Sequence, residues 1–252
     1  MSKGALQGKT ALVTGGARRI GRAISLALAD EGANIVVHHR SAREEALELE
    51  GLLAAKGVRA WLIRADFARR EEYEGLVTRA RDLAGGLDIL VNSASIFPTD
   101  TLDTVDLAGL MQNIEVNAWV PFVLGREFAR AVGRGKIINL IDSRVRGYDW
   151  NHVGYILSKH VLRALTRMMA VQYAPDITVN GVGPGLVLPP PGAAHEYIDG
   201  MARTVPLKRH GQAEDVAEAV AYLAKAEFVT GTVIYVDGGR HLMEYARGPH
   251  PD

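Results

Sequence analysis

Tyr155 and Lys159, in the run Tyr155-Ile-Leu-Ser-Lys159, stand four residues apart, so a helix would place them one above the other on a single face. An ammonium in that position favours the phenolate and lowers a tyrosine from its usual pKa of about 10. The expectation is a proton donor usable near neutral pH. The pair alone is common on amphipathic helices, so its meaning depends on what else the chain carries. Thirteen residues before Tyr155 stands an acid, Asp142. Ionised, it only accepts hydrogen bonds; protonated, it could pass a proton on through Tyr155.

A second constellation lies near the N-terminus. A β-rich run ends in Thr14-Gly-Gly-Ala-Arg-Arg-Ile-Gly21, and an amphipathic helical pattern follows at once. A glycine turn opening a helix offers backbone N–H groups and a positive helix end to a pyrophosphate. Thr14, Gly15, Arg18, Arg19, Ile20 and Gly21 are therefore candidate cofactor ligands. The next β-rich run ends in His38-His-Arg-Ser41, with no acid for a ribose 2′-hydroxyl. His39, Arg40 and Ser41 suit a 2′-phosphate instead, since arginine matches phosphate with a fork of donors and serine adds a hydroxyl. The expected cofactor is NADPH.

The elements that must position these residues alternate. Candidate strands are Thr10–Thr14, Ile35–His39, Ala60–Ala65, Ile89–Asn92, Lys136–Ile141, Thr178–Val182 and Val233–Val236. Candidate helices are Arg22–Glu31, Ala42–Lys56, Glu71–Leu83, Leu107–Val132, Val153–Tyr173 and Ala213–Lys225. Near-continuous apolar strands alternating with helices predict an α/β fold. It is a single-domain, Rossmann-type, doubly wound parallel sheet of about seven strands, with helices on both faces. No repeat or linker divides residues 1–252. Three prolines at 189–191 exclude helix and central strand. They lead into a helical piece, Ala193–Arg203, and the span 186–205 is expected to form a substrate lid.

Composition narrows the functions. Lys plus Arg and Asp plus Glu number 29 each, which gives no net field toward nucleic acid or an anionic membrane. There is no cysteine, which removes disulfides, thiolate metal sites and a cysteine nucleophile; no metal site is expected. No apolar h-region follows the N-terminal charge and no apolar run approaches the roughly 20 residues of a membrane span. A soluble cytoplasmic protein is expected.

The order of these motifs resembles the short-chain dehydrogenases/reductases over essentially the whole chain. The glycine turn is similar to the family's T-G-x-x-x-G-x-G, with Arg19 in place of the middle glycine. The resemblance assigns Asp66 to the adenine, and it places Asn92, Ser93 and Ala94 (in Asn92-Ser-Ala-Ser95) where the family has N-N-A-G. It implies that Asn117 supports a catalytic water chain, that Pro184-Gly185 flanks the nicotinamide, and that Tyr155 and Lys159 are catalytic. Val236-Asp-Gly-Gly239 is similar to the C-terminal signature, and a homotetramer is implied. At position 142 carbonyl reducers of the family carry serine; this chain has Asp142, and Ser143 follows one position late.

Arg19, the His38-x-Arg40-Ser41 ending of the second β-rich run, Asp142, Ser95-Ile-Phe97 and Val179–Leu186 together resemble the pteridine reductases and bacterial dihydromonapterin/dihydrofolate reductases. So does Arg146-Gly-Tyr-Asp-Trp-Asn-His152. That resemblance implies a pterin or folate substrate lined by Arg19, Ser95, Phe97, Asp142, Tyr155 and Leu186, with Phe97 stacking on the ring. Two alternatives stay open: an NADPH-dependent carbonyl reductase such as a 3-oxoacyl carrier-protein reductase, with Ser143 assisting Tyr155, and a non-catalytic NADP-binding sensor.

Overall fold

Seven apolar runs, each too short for a helix and separated by helical patterns, assemble into one parallel sheet. The computed structural model describes residues 4–189 and 196–243. Its strands are β1 (Thr10–Val13), β2 (Asn34–His39), β3 (Ala60–Arg64), β4 (Ile89–Asn92), β5 (Gly135–Leu140), β6 (Ile177–Pro184) and β7 (Val233–Val236). Their order is β3-β2-β1-β4-β5-β6-β7, so the chain reverses direction across the sheet between β1 and β4. Val13 pairs with both Val37 and Val91, which brings the C-terminal ends of β1, β2 and β4 level at that reversal. In open α/β sheets ligands bind there.

Side chains alternate between two cores. Ala11, Val13, Ile35, Val37, Ile89 and Val91 face α1 (Arg19–Asp30), α2 (Arg43–Ala55) and α9 (Ala213–Lys225). Leu12, Val36, Leu90 and Ile137 face α4 (Leu76–Ala84), α6 (Val120–Ala131) and α7 (Val153–Gln172). The period of two along each strand produces this division. Short helices lie between these elements, among them α3 (Arg70–Tyr73), α8 (Glu196–Ala202) and α10 (Arg240–Met243).

Two helices expected as continuous are interrupted. The stretch Glu71–Leu83 divides into α3 and α4 at Gly75, whose φ of 77° a helix cannot hold. The stretch Leu107–Val132 divides into α5 (Leu107–Ile114), a π-helical turn (Glu115–Trp119) and α6. Pro121 has no N–H to give the Asn117 carbonyl, and the helix widens there, with Val120 N–H reaching back five residues to Glu115. That turn buries Asn117. Of the expected lid, Pro190, Pro191 and residues 192–195 lie outside the described residues.

Thr14 ties the reversal together. Its Oγ1 accepts the N–H groups of Ser93 at 2.9 Å and Ala94 at 3.0 Å, bridging the ends of β1 and β4. Thr14→Val keeps the shape and removes the acceptor from two backbone donors. It should cost about 1–3 kcal/mol, read as a lower urea midpoint at unchanged slope.

Candidate active site

Burial decides which expected residues reach a ligand. A cavity of about 580 Å³ runs along the strand C-termini. Gly15, Arg18, Arg19, Ile20, Gly21, His39, Arg40, Ser41, Asp66, Ser93 and Ala94 line its cofactor end. Ser95, Phe97, Asp142, Tyr155, Lys159, Pro184, Gly185 and Leu186 line the rest.

Thr14, Asn92 and Asn117 are not among the residues lining this cavity, and their side chains brace its walls. Asn92 Nδ2 donates to Asn139 Oδ1 at 2.8 Å, joining β4 to β5. Asn117 Oδ1 accepts from Ser95 Oγ and from Ile96 N–H, each at 2.9 Å, while Nδ2 reaches Ser158 Oγ at 3.1 Å. Its side chain therefore pins the loop after β4 to α7. Ser95 spends its hydroxyl on that contact.

The turn fits a dinucleotide. Gly15 has a φ of 63°, and a Cβ on it would lie 3.1 Å from Ala94 Cα. A Cβ on Gly21 would meet the Gly15 carbonyl oxygen at 2.1 Å. Side chains are excluded, so a phosphate can approach the backbone. Helix α1 begins without a side-chain cap and without an acid in its first turn, leaving its positive end to the cavity.

Arg19, at φ 53°, holds a left-handed conformation that costs an arginine about 1–2 kcal/mol. Its guanidinium donates to the Pro189 carbonyl at the start of the expected lid. Arg18 pairs with Glu45 on α2. Arg40 and Ser41 are exposed at the rim, beside His39, whose buried Nδ1 has no partner. Burial, then the charges of Arg43 and Arg64, lower the His39 pKa.

The turn also depends on His38, the first residue of the His38-His-Arg-Ser41 run, whose contact with the turn the sequence does not reveal. His38 Nδ1 accepts the Gly15 N–H at 3.1 Å and Nε2 lies 3.0 Å from the Ala65 carbonyl. The ring stacks on Phe67, centroids 4.5 Å apart. Burial pushes its pKa down to about 4, against the bond to Ala65, so it is neutral at physiological pH. With Nε2–H donating, Nδ1 is the acceptor that Gly15 needs.

At the other end, Tyr155 and Lys159 do share a face of α7, but their electrostatics differ from the sequence expectation. Lys159 Nζ donates to the Leu140 carbonyl at 2.9 Å and lies 5.5 Å from the Tyr155 ring centroid. Tyr155 Oη donates to Asp142 Oδ2 at 3.0 Å. Burial and the Asp142 charge hold the Tyr155 pKa well above 10, so the phenol stays protonated. Burial lowers Lys159 to about 8 and Asp142 opposes it.

Burial also works to raise Asp142. The charge of Arg144, its side-chain hydrogen bonds and its N–H together outweigh that, and the carboxyl falls below its ordinary value. The expected Lys159-lowered tyrosine is thus corrected to a tyrosine hydrogen-bonded to a carboxylate.

Arg144, Asp149 and His152 are further site residues. Arg144 pairs with Asp142 and, closely, with Asp149; His152 Nδ1 lies 3.0 Å from Asp149 Oδ2. His152 stacks on Phe97 with centroids 3.9 Å apart and planes 14° from parallel. Phe97 also meets Tyr155 edge-on at 4.6 Å. The apolar face expected on Phe97 is therefore covered on one side, and the pair forms one aromatic wall. A signal existed in the sequence: a cation two residues past an acid that a strand end must bury. Ser143 Oγ is buried without a partner and Ser143 does not line the cavity. Among the described residues no acid or histidine cluster could hold a metal ion.

A family profile described as enoyl-(acyl carrier protein) reductase matches residues 15–241 of this chain. The chain belongs to the short-chain dehydrogenase/reductase family. Within that family it is similar to the 3-oxoacyl-[acyl-carrier-protein] reductase of Staphylococcus aureus N315, 34% identical over 244 residues, covering 93% of this chain and 98% of the relative. Among solved structures it resembles FolM, alternative dihydrofolate reductase 1 of Brucella suis, in complex with NADP. The two share 32% identity with a TM-score of 0.89, over 94% of this chain and 96% of the other. A short-chain dehydrogenase of Burkholderia cenocepacia J2315, also with NADP, is 35% identical with a TM-score of 0.87, over 94% and 99%.

The Asp142–Tyr155 contact can be checked without a substrate. Asp142→Asn removes a negative charge beside the phenol and leaves Arg144 paired with Asp149 alone, and both changes favour tyrosinate. The Tyr155 contribution to an ultraviolet pH titration, isolated by difference from Tyr155→Phe, should appear at lower pH in Asp142→Asn.

Proposed function

We propose that this NADPH-dependent short-chain reductase acts on a pterin or dihydrofolate, reducing a ring C=N bond. The observation that carries the reading is the Tyr155 hydroxyl donating to a carboxylate at position 142. An ionised carboxylate accepts hydrogen bonds and gives none. It suits a flat ring that presents amino and ring N–H groups, and it repels the oxyanion that develops when a ketone is reduced.

Each lining residue then has a role. Gly15–Gly21 and the start of α1 hold the phosphates. His39, Arg40 and Ser41 take the 2′-phosphate, Asp66 the adenine side, Ser93 and Ala94 the adjoining ribose region, and Pro184-Gly185 the nicotinamide. Bound NADPH supplies the hydride. Lys159 contacts the nicotinamide ribose, and its charge favours the tyrosinate left once Tyr155 has given its proton to the ring nitrogen. Asp142 orients the substrate N–H groups, with the stacked Phe97–His152 pair as one wall and Leu186, Ser95 and Arg19 completing the pocket. Leu186 to Pro189, with Ile198 and Met201, also line the cavity and shield the ring from water. The homotetramer and the cytoplasmic location belong to the same proposal. In support of a soluble protein, no helix among the described residues is long and apolar enough to cross a membrane.

Carbonyl reduction is the second reading, and sequence identity favours it more than it favours a pterin: several of the similar curated relatives are 3-oxoacyl carrier-protein reductases. In that chemistry Tyr155 would protonate an alkoxide, and a neutral hydroxyl should stand at position 142. Ser143 is not placed to supply one.

Two experiments test this function. Arg40→Asp removes a charge-assisted phosphate contact and adds repulsion, so it should weaken NADPH binding by about 1.5–3 kcal/mol and spare NADH in a calorimetric titration. Tighter NADH binding by the unaltered protein would overturn the cofactor assignment.

The second measures turnover of a dihydropterin and of an acetoacetyl thioester side by side. The unaltered protein should prefer the pterin, and Tyr155→Phe should lose about 10²-fold or more. Asp142→Ser should depress pterin turnover and raise ketone turnover. Good thioester turnover that is indifferent to Asp142→Ser would establish the carbonyl reductase instead.

A further inference from the structure

The short helical turn after β5 (Ser143–Arg146) aims one guanidinium at two acids. Arg144 Nε and N–H donate to Asp142 Oδ1 at 3.1 and 2.8 Å, and Nη2 donates to Asp142 Oδ2 at 3.0 Å. Nη1 is engaged by Asp149, the same carboxylate that orients His152. The guanidinium carbon also sits 5.4 Å from the Phe97 centroid and 5.8 Å from that of Tyr155. Arg144 therefore touches Asp142, Asp149, Phe97 and Tyr155 at the substrate end, yet its donor fork is directed at the two acids.

We propose that Arg144 is a positioning residue that locks position 142 as a hydrogen-bond acceptor and thereby sets which substrates the site admits. This rests on the pterin reading for the identity of the substrate, and not for the role of Arg144 itself. The charges around Asp142 make the case. From α7 it faces Tyr155, a neutral donor, and Lys159, which is directed at the Leu140 carbonyl. Before α7 stand Asp149 and His152. Beyond β6 lies the Tyr235 ring, stacked on His241, and Arg240 of α10 lines the same cavity.

Of these groups, Arg144 alone makes charge-assisted bonds to both Asp142 oxygens. Without it, the buried Asp142 carboxylate would face only a lysine directed at the Leu140 carbonyl, and burial would favour the protonated acid. A protonated Asp142 is an O–H donor, the polarity that a carbonyl reducer needs from serine. Arginine also does not relay protons at ordinary pH, so the contact orients charge and does not conduct it.

The test follows the Asp142 carboxyl directly in the full-length protein, by carbon-13 or infrared titration, with Asp142→Asn identifying its signal. Because the bound arginine depresses this pKa, the charged form is lost only as pH falls through a low midpoint. In Arg144→Met that midpoint should rise by about one pH unit or more, Arg144→Lys should restore most of it, and Asp149→Asn should not raise it. At a pH below the raised midpoint, the ratio of dihydropterin to acetoacetyl-thioester turnover should fall about tenfold or more in Arg144→Met and recover in Arg144→Lys.

An unmoved midpoint in Arg144→Met, or an equal rise in Asp149→Asn, overturns the proposal. If the unaltered protein reduces only the thioester while the midpoint still moves, the pterin reading fails and the role of Arg144 stands. Should Arg144→Met not fold, Arg144→Gln in the Asp149→Asn background, which relieves one buried charge, is titrated against Asp149→Asn with the same two outcomes.

Discussion

A carboxylate buried beside a tyrosine must be compensated, or it protonates. Here the compensation comes from Arg144, which makes three hydrogen bonds to Asp142 while Tyr155 supplies a fourth. That arrangement fixes two protonation states together. Asp142 stays charged because the guanidinium faces it, and Tyr155 stays neutral because it is buried and Asp142 faces it. The substrate end thus holds a carboxylate against a neutral phenol, and a substrate N–H that takes the place of the Tyr155 hydroxyl on Asp142 frees that hydroxyl to donate to the substrate. Groups with that polarity recognise a ring bearing N–H donors next to a nitrogen that must gain a proton.

The fold brings these groups together from separate pieces of chain. Asp142 and Arg144 follow β5, whereas Tyr155 and Lys159 ride on the first turns of α7, packed across the sheet end. The loop carrying Ser95 and Phe97 leaves β4 and is held down by Asn117 from the widened helix turn. Thr14 and His38 fasten the cofactor turn to its neighbours β4 and β2. Buried polar side chains do most of this fastening, because apolar packing alone does not fix the direction of a backbone N–H.

Much of this was legible in the sequence. Strand identity and the α/β class follow from apolar runs between helical periods, and the positions of β4 and β7 agree residue for residue with expectation. The glycine turn, the tyrosine–lysine pair and Asp142 were readable because each motif has a fixed spacing. Three things were not. Thr14, Asn92 and Asn117 carry the same residue types whether they touch ligand or brace the scaffold, and only burial separates the two roles. The breaks at Gly75 and before Pro121 fall inside stretches whose apolar period continues unbroken. The charge partner of Tyr155 depends on where Lys159 Nζ points, which helix spacing does not specify; it points to the Leu140 carbonyl.

On the proposed function Asp142, held as a carboxylate, receives the substrate through N–H groups while Tyr155 faces the nitrogen to be protonated. A crystal structure of the protein with NADP+ and a dihydropterin tests it most directly. The account predicts an Asp142 oxygen about 2.7–3.0 Å from a substrate N–H, with Tyr155 Oη in reach of a ring nitrogen and the ring against Phe97. A ligand bound with a carbonyl oxygen at Tyr155, and Asp142 bonded to Arg144 alone, would contradict it.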